Sequence, residues 1–262
     1  MSGLNYEFVQ NMIDFGRTLA SDFVGQPFIQ YRLNTLSSGN ALDAINQIGN
    51  LNVKVSATTS RAFIENSYFH TNVFDFKVAT ASVELGDLFV QNDQVYGQNA
   101  TYAVASFRPL KPVLAVRVNH LSQLYRLKSN YDPTSNPNGY GGVAIEDELP
   151  FVLTNGVYAP ASNTPLNDPS IIPSQVPCGI VSTGQLKGLS GQVERLPLDT
   201  MRAMWFIYMP ELPGLSRLLP GDIVQGPAPD PNENPQRFAI QNAMQIPAGF
   251  AGTFYNAELL IP

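Results

Sequence analysis

Residues 85–91 read Leu85-Gly86-Asp87-Leu88-Phe89-Val90-Gln91, and residues 220–225 read Pro220-Gly221-Asp222-Ile223-Val224-Gln225. The first stretch runs through a polar segment into Thr101-Tyr102-Ala103-Val104-Ala105-Ser106-Phe107. The second runs through a Pro/Asn-rich segment into Arg237-Phe238-Ala239-Ile240-Gln241. Gly86-Asp87 aligns with Gly221-Asp222, and Tyr102-Ala103-Val104 with Phe238-Ala239-Ile240. Each copy reads as a turn, a short strand, a polar loop and a returning strand. Glycine accepts a positive φ and aspartate bonds its own backbone, so Gly86, Asp87, Gly221 and Asp222 are read as structural turn motifs. Paired acid/base chemistry at the two aspartates is the competing reading. The turn role explains both copies without a further partner. The duplication predicts a chain built from two related small β units.

Working outward, the 262 residues could hold one large β domain or two small ones. The apolar fraction of 44% supplies a core, whereas only 14% of residues are charged. A surface short of charge is weakly protected against association. It fits a surface covered by neighbouring subunits and equally an ordinary neutral one. The net charge of −6, with no Lys/Arg cluster, argues against a nucleic-acid reader. It is compatible with a wall past which DNA slides.

Residues 5–23 predict a helix. Phe8, Met12, Phe15, Leu19 and Phe23 recur along one face, Val9 and Ile13 widen it, Asn5 caps it, and Gly25 and Pro27 end it. That face packs either on its own domain or on another subunit. Strands are expected at 28–33, 53–56, 74–81, 88–91, 102–107, 113–118, 121–127 and 201–209, with a short helix at 41–48. The fold class is mainly β: two related small β-barrel or sandwich units, an N-terminal amphipathic helix and long irregular loops. The expected organisation is a helical arm at 1–27, a first β unit at 28–130, an irregular excursion at 131–195 and a second β unit at 196–262. Edge strands of such units are expected to pair with neighbouring copies.

The search for chemistry yields no catalytic, cofactor-binding or metal site. Gly184 to Gly191 lacks the spacing of a phosphate loop. The acidic run Glu146-Asp147-Glu148 reads as a solvated loop, and the histidines, His70 and His120, stand far apart. Cys178 reads as a small structural residue, since nothing in the sequence links it to a histidine. No apolar stretch reaches a membrane span, and the N-terminus lacks signal-peptide character, so a protein assembled in a cytoplasm is expected.

Several segments are similar to a family of structural proteins of tailed bacteriophages of proteobacteria. They are Gly25-Gln26-Pro27 with Tyr31-Arg32, Gly86 to Val90, Tyr102 to Ala105, Pro109-Leu110-Lys111-Pro112-Val113-Leu114-Ala115-Val116 and Asn138-Gly139-Tyr140-Gly141-Gly142. Leu196-Pro197 with Trp205, Pro210-Glu211-Leu212-Pro213-Gly214, and Pro220 to Val224 with Arg237 to Ile240 complete the set. The second copy of the repeat separately resembles the head-closure or stopper proteins of phage necks. The resemblance implies a non-enzymatic virion component, a homo-oligomeric ring of six or twelve copies between portal or adaptor and tail proteins. Such a ring would surround packaged DNA and would have no membrane partner. Phe8, Met12, Phe15, Leu19 and Phe23 are then the expected subunit contacts, with loops 128–142 and 155–192 beside them. Capsid decoration, tail tube or baseplate are the alternative places in the particle. A ligand-binding β module using the aromatics of 61–76 is a further alternative.

Overall fold

The computed structural model describes residues 5–57, 72–91, 100–107, 110–127, 148–161, 171–182, 204–215, 217–226, 228, 233–244 and 249–260. The readings placed on 61–71, 92–99, 128–142, Arg108, Glu146-Asp147 and 183–203 lie outside these residues.

Helix α1 (Tyr6–Val24) opens the described chain, with the Asn5 side chain accepting from the Glu7 amide at its first turn. Strands β1 (Gln26–Tyr31), β2 (Gln47–Ala57), β3 (Val73–Lys77), β4 (Leu88–Gln91), β5 (Thr101–Ser106) and β6 (Val113–Val118) follow. They close into an antiparallel barrel in the order β1-β2-β3-β6-β5-β4, with β4 returning to β1. Alternation along the strands sorts side chains into two sets. Phe28, Phe76, Phe89, Tyr102, Val104, Val113 and Ala115 fill the interior. The four rings there meet at centroid distances of 5.1–6.4 Å, mostly edge to face. Ala103, Ala105, Leu114 and Val116, one residue out of phase, belong instead to a core shared with the second half.

The second half contains β7 (His120–Leu127), β8 (Glu148–Thr154), β9 (Val157–Pro160), β10 (Gln175–Ser182), β11 (Met204–Met209), β12 (Ile223–Gln225), β13 (Arg237–Ala243) and β14 (Thr253–Leu260). Six of these make a second ring: β7-β10-β11-β14-β13-β12, with β12 returning to β7. Ring order is the same as in the first barrel when β7 stands for β1, β10 for β2, β11 for β3, and β12, β13 and β14 for β4, β5 and β6. A register shift falls between Val104 and Ser106 in one ring and between Ile240 and Asn242 in the other, at matching positions. The two halves therefore share a topology down to a bulge.

Two expectations need correction. The first unit was placed at 28–130, but β7 belongs to the second ring. Val118 and His120 are separated by one residue, so no composition change marks the crossing. The stretch 131–195, read as an irregular excursion, carries β8, β9 and β10. Its prolines disguised them: Pro177 lies in the part of β10 that pairs only with β7, and Pro160 ends β9. Closure leaves no free edge within either six-strand ring, and among the described strands β9, paired with β8 on one side, is the edge of the second sheet.

The hairpin β8–β9 is what the second half adds. Asn155 (φ 52°) and Gly156 (φ 78°) form its two-residue turn, the conformation that an Asn-Gly pair favours. The hairpin leaves the ring beside β7, and its tip reaches the connection after β1: Gly156 donates to the Ser37 carbonyl at 2.8 Å, and Gly39 bridges Leu153. Phe151, Leu153 and Tyr158 are buried in the shared core. The hairpin thus ties the second ring to the first.

Candidate functional site

The duplicated turns carry more than the turn itself. Asp87 and Asp222 are buried, and each receives an arginine. Arg32 donates from Nε to Asp87 Oδ1 at 2.6 Å and from Nη2 to Oδ2 at 2.7 Å. Arg126 donates from Nε to Asp222 Oδ1 at 3.2 Å and from Nη2 to Oδ2 at 2.8 Å. In each copy a backbone amide three residues earlier, Glu84 or Leu219, donates to Oδ2 at 2.8 Å. The glycines adopt φ of 85° and 90°, and their amides donate to Val104 and Ile240 of the returning strand. These are bidentate, charge-assisted clasps. They pin the strand that opens each ring, β1 or β7, to the turn before β4 or β12.

Sequence reasoning found the aspartates and missed the arginines. The signal was present: Tyr31-Arg32-Leu33 recurs as Tyr125-Arg126-Leu127. Burial and saturation with donors leave no lone pair of Asp87 facing solvent. Gln30 fills a further place on Oδ2 at 2.7 Å. A carboxylate enclosed in this way holds a turn and cannot meet a substrate. The Asp87 clasp also holds the Arg32 guanidinium above the usual arginine range, chiefly through that hydrogen bond.

The strand register places His120 directly opposite Cys178, a pairing hidden by their separation in sequence. The thiol is fully buried and donates to Ser122 Oγ at 3.1 Å. Burial pushes its pKa up to about 12 and lowers that of His120. An activated thiol needs the opposite shift. The sign for stability follows: below the ordinary thiol pKa of about 9 the neutral buried thiol is fully compatible with folding. As pH rises from there toward 12, the unfolded chain releases a proton that the folded chain keeps, and stability falls. Native protein at pH 8 is therefore expected to resist labelling by a disulfide reagent, and to label stoichiometrically in denaturant. Rapid native labelling would contradict this burial.

Among the described residues no group of three His, Cys, Asp or Glu side chains is arranged to hold a metal ion, and no helix is long and apolar enough to cross a membrane. A small cavity between the rings, lined by Asn72, Arg117, Gly179, Tyr208 and Phe254, has about 10 Å³ of space, enough for about one water.

The largest chemically distinctive surface is α1. Its less exposed side carries Val9, Gln10, Ile13, Asp14, Arg17, Ala20 and Ser21 and lies over β2 and β3, so Val9 and Ile13, expected to widen the apolar face, turn toward the barrel instead. Arg17 pairs with Asp14 at 3.0 Å, Thr80 Oγ1 donates to Asp14, and the Leu110 amide donates to Gln10 Oε1 at 3.3 Å. The apolar face points away. Phe8 is 57% exposed, Met12 61%, Phe15 72%, Leu19 50% and Phe23 81%, with Tyr6 and Val24 also exposed. Among the described residues, none packs on Phe8, Met12, Phe15, Leu19 or Phe23 to bury them. A stripe of mixed polar and small apolar residues holds the helix, and the large apolar face is exposed.

The chain matches no family model, no curated protein and no solved structure.

Proposed function

We propose that this chain is a structural subunit of a tailed-bacteriophage particle, a ring-forming component of the neck at the head–tail junction. The observation that carries the reading is the outward apolar face of α1. A 19-residue helix that turns a mixed, mostly small or polar side to its own barrel and leaves five large apolar side chains exposed is suited to being covered by another protein. The other features agree with a structural part. Two closed rings leave few strand edges that could pair indiscriminately. The buried carboxylates and the thiol serve the fold. The low charge suits a surface that is largely contact. The resemblance of the segment order to phage structural proteins supports the particle, and that of the second repeat copy to neck stopper proteins supports the neck.

In this role the two rings, alike in topology and different in loops, face different neighbours. The hairpin β8–β9 belongs to the second ring alone. Portal or adaptor proteins would meet one ring and tail proteins the other. Deleting the gene from its phage tests this. The expected result is heads that package DNA and leak it, with free tails beside them. Infectious particles of normal appearance would refute the neck role.

A further inference from the structure

We infer that α1 joins two copies of this chain, its apolar seam packed antiparallel against the same seam of the second copy. The inference rests on the assembly reading above only in taking this face to be covered by protein; because an isologous contact reverses direction, it describes pairs of the free chain and not neighbours around a ring with a head side and a tail side.

Four observations carry it. The first is spacing. Phe8, Met12, Phe15 and Leu19 follow one another at four, three and four residues, the interval of a seam that packs knobs into holes against another helix. The flanking positions Val9, Asn11, Gly16 and Thr18 are uncharged. The charges nearest the seam, Glu7 and Asp22, stand at its ends, and the pairing sets them against Val24 and Val9 rather than against each other.

The second is self-complementarity. In an antiparallel pair, residue numbers across the seam sum to a constant. With Met12 facing Leu19 of the second copy, Phe8 faces Phe23 and Phe15 faces Gly16. Phe8, Met12, Leu19 and Phe23 each meet an apolar residue and Phe15 meets the open position Gly16, whereas Val24 lies opposite Glu7; each contact occurs twice, as an isologous interface requires.

The third is Gly16. Glycine in a helix interior costs about 1 kcal/mol relative to alanine. A Cβ at Gly16 would meet nothing within 4 Å, so nothing in the chain's own fold calls for the glycine. The pairing does: it makes the hole that receives the Phe15 ring of the second copy.

The fourth is area. Four aromatic side chains, Met12, Leu19 and Val24, half to four-fifths exposed, offer on the order of 700 Å² of surface. A standard specific interface takes about 800 Å² from each partner. The barrel lies on the opposite side of the helix, so no described part of the fold obstructs the approach.

The test uses the full-length chain. Sedimentation equilibrium up to about 50 µM should show a dimer with a Kd in the micromolar range, on the order of that interface size. Phe15→Glu should weaken it about a hundredfold. The melting temperature of dilute, monomeric protein should stay the same, because Phe15 is exposed in the monomer. Gly16→Gln should weaken it about tenfold without unfolding the helix. A mixture of Met12→Cys and Leu19→Cys chains should form the mixed disulfide in preference to either like pair. A chain that stays monomeric overturns the pairing, as does a dimer that survives Phe15→Glu or crosslinks Met12→Cys to itself. A monomeric chain whose deletion still abolishes the neck overturns the pairing alone. A dimeric chain whose deletion leaves normal particles overturns the virion role alone.

Discussion

Replacing Asp222 by alanine is expected to lower the unfolding free energy by about 3–5 kcal/mol, and Asp87→Ala by a similar amount. In the second clasp the substitution strands Arg126, whose side chain is only 17% exposed. Among the described residues, what remains to it is the Arg217 carbonyl at 3.4 Å and the Phe151 ring at 5.1 Å. The Leu219 amide also loses its acceptor. In the first clasp the carboxylate removed serves Gln30, Arg32 and the Glu84 amide together. Arg32 keeps Glu84 there, which is exposed and offsets little. A guanidinium left without its carboxylate is the costly state, so the pair is tested as a pair. Asp222→Ala combined with Arg126→Met should recover part of the loss, because removing both charges avoids the uncompensated one. Urea unfolding reads all of these. If Asp222→Ala stays within about 0.5 kcal/mol of the native chain, as an ordinary surface substitution does, the clasp contributes nothing.

The clasps also show which parts of the architecture could be read in the residues. Gly86-Asp87 and Gly221-Asp222 stood out because turn chemistry demands those residue types. The Tyr-Arg-Leu partners carry the same information and escape a search at fixed period. Tyr31 lies 55 residues before Gly86, and Tyr125 lies 96 before Gly221. Extra chain in the second half, including β8 and β9, accounts for the difference. Strands such as Leu88–Gln91 and Val113–Val118 were legible to the residue, because apolar β-branched runs bounded by turn residues leave little choice. β10 was not, since Pro173 and Pro177 read as breakers until its pairing is known. Asn155-Gly156 was a hairpin signal in plain view, masked by the surrounding prolines. For the helix, periodicity gave its span and its apolar face. Periodicity cannot say which face meets the barrel, because Asp14, Arg17 and Ser21 become anchors only when Thr80 and the neighbouring strands are in place.

The second large effect is expected at Gly214, in the segment Pro210 to Gly214. Gly214 has a φ of 86°, and a Cβ there would run into the backbone of Tyr158, its carbonyl oxygen first. At the same place the Tyr158 amide donates to the Pro213 carbonyl at 2.8 Å. A Cβ on Gly86 would likewise strike the Glu211 carbonyl. The segment is therefore wedged between the hairpin of the second ring and the clasp turn of the first, with Leu212 and Leu215 buried beneath it. Gly214→Ala adds a left-handed backbone cost of about 1–2 kcal/mol to a clash that only backbone movement relieves, so a total loss of about 3 kcal/mol or more is expected. The same change at Gly16 has the opposite sign. In dilute, monomeric protein Gly16→Ala should raise stability by up to about 1 kcal/mol, because the helix gains propensity and the methyl meets nothing. Thermal and urea unfolding of the two variants side by side separate the explanations. If Gly214→Ala is as mild as Gly16→Ala, the segment is a loop lying on the surface. If it alone is severe, the chain at Pro210 to Gly214 is the seat on which the hairpin holds the two rings together.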